Sequence, residues 1–313
     1  MAGMGLLVIG DVVTDVVALH ETPVATGTDT AADIVLRPGG SGANTASWAA
    51  HLGADARFLT RAGYDTGAWH RAELLLDGVR PHMRMDPDHP TAVVIAMVDA
   101  RGERSMLTNR GAGGRIGTED WSDDLLDGVG HLHLSGYTLF AEPGLHLARK
   151  ALAEAARRGV TISVDPASVG FLHEFGPGRF LRETASAKLI IPNLDEALLL
   201  TGEDDAGRAA ESLSMTYGAA AVKRGPDGAL LARDGRVVAT ALGTPVEVVD
   251  STGAGDAFAA GFLTALLGGA GDEEALTAGC RAGADAVGLV GGRPRVRRTP
   301  GLGSNQLYPI DTD

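Results

Sequence analysis

The chain has 313 residues and one cysteine, Cys280, so an intramolecular disulfide is excluded. No Cys/His cluster has zinc-ligand spacing, which removes a structural zinc site as well. No apolar run approaches the roughly 20 residues that a membrane-spanning helix needs. Met1-Ala2-Gly3-Met4-Gly5 leads straight into an apolar strand, without the basic segment or small-residue cleavage site of a secretory leader. A soluble, unprocessed, cytoplasmic protein is the expectation. Basic residues are few: 27 Lys and Arg stand against 40 Asp and Glu, a net charge of −13. That balance argues against nucleic acid or an anionic membrane as partner, and it obliges any bound nucleotide to find local positive charge. GxxxxGK[ST] occurs nowhere, so a P-loop is excluded.

What is present suffices for a large core, since 44% of the residues are hydrophobic. Short β-like runs at Leu6 to Ile9, Ala56 to Thr60, His131 to Leu134, Thr161 to Val164, Leu189 to Ile191 and Ala219 to Val222 alternate with helical patterns. The helices are expected at Ala43 to Leu52, Gly67 to Leu76, Pro143 to Arg157, Asn193 to Thr201, Ala206 to Tyr217, Ala257 to Leu267 and Glu273 to Leu289. Such alternation predicts an α/β fold with a doubly wound, mostly parallel sheet. Gly228 to Arg233 and Val237 to Thr240 read as a hairpin around Asp234-Gly235-Arg236. Val12 to Leu19 with Asp33 to Leu36, and Ala92 to Val98 with Ser105 to Thr108, read as a small second sheet, a lid over the carboxyl ends of the main strands. Ala92 to Val98 is apolar at both parities, which suits either a lid packed on its own domain or one shared between two subunits. Arg293 to Arg298 reads as a solvated basic tail.

The most informative segment is Val249-Asp250-Ser251-Thr252-Gly253-Ala254-Gly255-Asp256-Ala257-Phe258. A strand-like run, Val246 to Val249, enters it and an alanine-rich helix leaves it. The glycines therefore fall at a helix N-terminus, where free amides and roughly half a positive charge await an anion. Asp256 falls in the first helical turn, beside that cradle. A dinucleotide fingerprint fails for want of a third glycine and an acid closing an early strand-helix-strand unit. An ordinary tight turn with an aspartate cap accounts for Asp256 but not for two glycines with Asp250 and Thr252. A second constellation, Pro38-Gly39-Gly40-Ser41-Gly42-Ala43-Asn44, precedes another helix and suits close contact with a hydroxylated ligand. Asp11 and Asp15, at the end of the first strand, suit sugar hydroxyls or turn and cap chemistry.

These two elements, with Pro192-Asn193-Leu194-Asp195-Glu196 and Val222-Lys223-Arg224-Gly225-Pro226-Asp227-Gly228 between them, in this order, resemble the ribokinase-like (PfkB) family of carbohydrate kinases over nearly the whole chain. The resemblance implies a single ribokinase-like domain over residues 1–313, with lid strands from about residues 12–38 and 91–109. It also implies ATP-dependent transfer to a hydroxymethyl group, with Asp256 as general base and Gly253, Ala254 and Gly255 as the anion hole. By the same resemblance Asp15, Gly39, Gly40, Ser41 and Asn44 contact the sugar. Asn193, Lys223, Gly225, Gly228 and Cys280 belong to the ATP side, Cys280 more simply read as a buried structural thiol. Glu196 organises Mg2+ through water, and Asp250 and Thr252, with the loop at Gly291, match positions that hold K+ in some members.

Departures from ribokinase itself bear on the substrate. Val13 stands where Asn is expected, Ser41 where Lys is expected, and no Glu lies near Leu134-Ser135-Gly136-Tyr137. D-ribose is therefore disfavoured. A free sugar is the first expectation and a nucleoside the alternative; outside catalysis the rival is a silent sugar or nucleotide sensor on the same fold. A phosphosugar would need lid cations such as Arg104 or Arg110. A nucleoside would need an apolar or aromatic wall, and aromatics make up only 4% of the chain.

Overall fold

The structure is a computed structural model that describes residues 5–101 and 104–294, with only the backbone of Arg104. The chain opens with β1 (Gly5–Ile9), β2 (Val13–His20), β3 (Asp33–Gly39), α1 (Ser41–His51), β4 (Asp55–Gly63), α2 (Gly67–Leu76) and β5 (Arg80–Asp86). β6 (Ala92–Asp99), β7 (Arg104–Asn109), β8 (Val129–Ser135), α3 (Glu142–Arg157), β9 (Thr161–Asp165), α4 (Val169–Phe175) and α5 (Pro177–Glu183) follow. The last third holds β10 (Leu189–Ile190), α6 (Leu194–Thr201), α7 (Ala206–Tyr217), β11 (Ala219–Lys223), β12 (Ala229–Arg233), β13 (Arg236–Ala241), α8 (Ala254–Leu267) and α9 (Asp272–Val287).

Nine strands form one sheet in the order β13-β12-β11-β10-β9-β8-β1-β4-β5, parallel from β5 to β11 and antiparallel at the β12–β13 edge. β1 lies inside this sheet and is buried on both faces, which is why Leu6-Leu7-Val8-Ile9 is apolar without alternation. Leu7 and Ile9 join the core beneath α3 to α7, while Leu6 and Val8 join the core beneath α1, α2, α8 and α9. The ribokinase-like α/β expectation is met. The expected lid is present as a four-stranded sheet, β3-β2-β6-β7. The hairpin is also present; its turn is the pair Asp234-Gly235, both at positive φ, with Arg236 already paired to Arg233.

One local expectation fails, and three elements, β5, α4 and α5, were not expected. Val246 to Val249 pairs with no described strand: it is an extended connection whose Val249 amide donates to the Val287 carbonyl at the end of α9 (2.8 Å), and its valines are exposed. β5 gave no apolar signal because it is a sheet edge carrying Arg80, His82 and Arg84. α4 and α5 are each seven residues long, too short to show a helical period.

Candidate active site

The carboxyl ends of the parallel strands and the lid enclose a cleft of about 510 Å³. Its centre is the start of α8. Gly253 caps that helix at φ +76, and a side chain there would run into the backbone of Gly292, so only glycine fits. Asp256, in the first turn, is held by two groups from the start of α1: Ser41 Oγ donates to Oδ1 at 2.8 Å and Asn44 Nδ2 to Oδ2 at 2.9 Å. α1 begins after Gly40 at φ +99, and Gly42 packs so closely on Gly10 that a Cβ on either would collide. Two helix N-termini thus converge on one buried carboxylate. Burial raises the Asp256 carboxyl, Asn44 and Ser41 oppose that, and it settles at about 7.

On the opposite flank Lys223, at the end of β11, pairs with Asp165 at the end of β9, Nζ to Oδ2 2.6 Å. A Cβ on Gly255 would lie 3.3 Å from the same Nζ, so Lys223, the one lysine among the described residues on the cleft, sits against the first turn of α8. Burial alone would lower the Lys223 ammonium, but Asp165 and Glu196 hold it above its ordinary value. Glu196 is 1% exposed and locked by a reciprocal cap: Asn193 N donates to its Oε2 at 2.8 Å while its own amide donates to Asn193 Oδ1 at 2.9 Å. Burial, then the charge of Asp165, raises its carboxyl to about 7. On the lid, Asp15 lies against Gly39, where no side chain would fit, and is raised to about 7 by burial and then by Asp11, with Arg293 opposing.

Of the residues expected on the acceptor side, Asp15, Gly40, Ser41 and Asn44 line the cleft, and Gly39 borders it through Asp15. Thr252 and Gly253, in the turn before α8, and Gly255 and Asp256, in its first turn, line it, and Ala254 is the first residue of that helix. Asn193, Glu196, Lys223 and Gly225 line it too. Three do not. Gly228, at φ +83, closes the turn before β12; Cys280 is packed in the helix core with its thiol pushed up by burial; and Asp250 turns to its own loop. Asp250 accepts from Thr252 N (3.0 Å), Thr252 Oγ1 (2.7 Å) and Gly291 N (3.0 Å), tying residues 250–252 to the Gly291 loop.

Sequence reasoning missed Asp165, Tyr137, Phe171 and Arg293; the first three line the cleft. A carboxylate at the end of a central parallel strand was the available signal for Asp165. Arg293 is not part of a solvated tail: it is 9% exposed, its Nη2 donates to the Gly39 carbonyl at 3.3 Å, and its Nη1 lies 3.8 Å from Asp77 Oδ2. Residues 295–298 of that patch lie outside the described residues. Arg293→Met is expected to lower stability by about 1–3 kcal/mol, by leaving Asp77 and the Gly39 carbonyl short of a partner. Thermal unfolding checks this, with Arg293→Lys recovering part of the loss.

A family model described as pfkB family carbohydrate kinase matches residues 5–297. The chain belongs to that family. It is 32% identical to an ATP-dependent ribose-1-phosphate kinase of Halopiger xanaduensis over 258 residues, 82% of each chain. It is also 32% identical to an Escherichia coli fructokinase over 236 residues, 73% of this chain and 76% of the other. The crystal structure of an adenosine kinase from Sinorhizobium meliloti superposes with a TM-score of 0.85 at 28% identity, covering 94% of this chain and 97% of that one. The chain is thus a pfkB-type kinase, and these relatives differ in the acceptor named for each. Among the described residues no helix is long and apolar enough to cross a membrane.

Proposed function

We propose that this pfkB kinase, acting as one unit along the chain, transfers the γ-phosphoryl group of ATP to a hydroxymethyl group of a small sugar or of the sugar part of a nucleoside. The observation that carries the reading is the juxtaposition of a buried carboxylate, Asp256, with the glycine-capped amides of α8 and the Lys223 ammonium. The hydroxyl proton passes to Asp256, the hydroxyl oxygen bonds to the γ-phosphorus, and the bond to the bridging oxygen breaks to release ADP. The amides of Gly253, Ala254 and Gly255 offset charge on the transferring oxygens, and Lys223 adds a fixed cation beside them. Asp15 and Asn44 orient the acceptor.

Among the described residues no cluster of three or more His, Cys, Asp or Glu could grip a metal alone. The buried, capped Glu196 next to Asp165 suits an ion held through water and by the nucleotide's own phosphates, as Mg2+ usually is. When bound, Mg2+ neutralises phosphate charge. K+ is assigned to the Asp250–Thr252 turn and Gly291; a rise in kcat on exchanging Na+ for K+ at constant ionic strength checks that assignment.

ADP release measured with ribose, fructose, a phosphosugar and nucleosides tests the kinase reading; binding of ATP without turnover of any acceptor would contradict it. With Asp256 raised to about 7, kcat/KM should fall about tenfold per pH unit below that value, because only the carboxylate accepts a proton. A flat profile between pH 5 and 7 would exclude Asp256 as the titrating base.

We also propose that two copies associate through their lids. On the face away from the cleft, register places Leu36, Val16, Ile95 and Leu107 in one row across the four strands, with Ile34 and Met97 in the next. Leu36, Leu107 and Ile34 are 40%, 59% and 64% exposed. Such a row is a self-association surface. Light scattering should give twice the 32.1 kDa chain mass, reverting to one chain on Ile34→Lys with Leu107→Lys; a wild-type mass of one chain at micromolar concentration would refute it.

A further inference from the structure

We infer that the acceptor is an uncharged compound that carries a flat ring on its sugar, a nucleoside rather than a free or phosphorylated sugar. This rests on the kinase reading above and on two observations. The first is the wall of the cleft. Asp15, Ser41 and Asn44 supply the hydroxyl-binding side, but Tyr137 and Phe171 line the same cleft, joined by Val13, Val94 and Met106 from the lid. The Tyr137 and Phe171 rings meet edge to face with centroids 5.7 Å apart. Phe171 is backed by Phe140, stacked at 5.4 Å, and Phe140 by Phe175 at 5.5 Å, so the wall is a preformed aromatic stack. A free sugar can lay one C–H face on a ring of this stack, but its hydroxyls stand around the perimeter, and any directed at Val13, Val94 or Met106 would lose partners. A nucleobase presents a π-face that stacks on such rings and keeps its polar edge for the rim.

The second observation is charge. Five acids line the cleft, Asp11, Asp15, Asp165, Glu196 and Asp256, against two cations. Both cations are engaged: Lys223 with Asp165 at 2.6 Å, and Arg110, which faces Asp11 and donates from Nη2 to the Tyr137 carbonyl at 2.6 Å. A phosphate on the acceptor would add roughly −1.5 to −2 charges beside Asp11 and Asp15. No further cation with a described side chain lines the cleft to receive it; the side chain of Arg104, the other lid cation expected for a phosphosugar, lies outside the described residues.

Steady-state ADP release with purine and pyrimidine ribonucleosides, D-ribose, D-fructose and ribose 1-phosphate decides the matter. The best nucleoside should exceed every free or phosphorylated sugar in kcat/KM by about tenfold or more. Phe171→Leu should raise its KM about tenfold while leaving the KM for ATP unchanged, and Phe171→Tyr should restore it. A free or phosphorylated sugar as the best acceptor, or a nucleoside KM indifferent to Phe171→Leu, overturns the inference and leaves the kinase reading standing. If no acceptor turns over, the kinase reading has failed. Calorimetric titration with adenosine and uridine then decides: saturable binding weakened by Phe171→Leu supports the inference, and absence of binding overturns it.

Discussion

Asp256→Asn is expected to lower kcat by about 10²- to 10⁴-fold, the usual worth of a positioned general base, while the dissociation constant for ATP stays within a few-fold of wild type. Asparagine keeps the size of the side chain, and its amide oxygen can still accept from Ser41 Oγ or Asn44 Nδ2, now 2.8 and 2.9 Å from the carboxylate. What it lacks is the negative charge and basicity needed to take a proton. Stability should move the other way. An aspartate raised to about 7 in the fold, from an ordinary value of 3.8, binds more protons folded than unfolded between those limits. Its contribution is therefore greatest below about pH 4 and is lost as pH rises through 7. The asparagine variant carries no such pH-dependent loss. Its melting temperature should equal or exceed wild type at pH 8, and its advantage should shrink as pH falls. An inactive variant that melts well below wild type at pH 8 would point to a structural role for Asp256 instead.

Lys223→Met is the second large effect, and it should appear in stability and turnover together. The ammonium pairs with Asp165, faces Glu196 and lies against Gly255, so its loss leaves two carboxylates uncompensated beside the helix terminus. Removing one partner of a buried ion pair costs about 3–5 kcal/mol, well above the surface-pair range. Turnover should drop because the strand-end cation beside the first turn of α8 is gone. The double variant Lys223→Met with Asp165→Asn separates the two consequences: it should regain most of the lost stability and none of the lost kcat. Denaturant unfolding beside ADP-release kinetics measures both. Recovery of turnover in the double variant would show that Lys223 serves only to neutralise Asp165.

Periodicity revealed elements whose ends are chemically marked. α7 was legible to the residue because Asp205 caps it and accepts from the Gly207 and Arg208 amides, while Gly218 ends it at positive φ. Val246 to Val249 reads as a strand because valine favours extended backbone, whereas these valines lie on an exposed connection that pairs with no described strand. The glycine turn with Asp256 was legible because a helix N-terminus is a local event. The partners of that aspartate were less so: Ser41 and Asn44 sit more than 200 residues away, and only the packing of α1 on α8 brings them in. The Lys223–Asp165 pair, the Phe140–Phe171 stack and the burial of Arg293 depend likewise on which strand ends and loops the sheet order places together. A pattern in one dimension carries no such information until the strand order is known.

The most direct measurement of the central claim is the crystal structure of the protein with acceptor and a non-hydrolysable ATP analogue. The terminal phosphate should rest on the amides of Gly253 to Gly255, with the acceptor hydroxyl within about 2.6–3.2 Å of an Asp256 carboxylate oxygen. A hydroxyl seated on another residue, with Asp256 still closed on Ser41 and Asn44, would contradict the account.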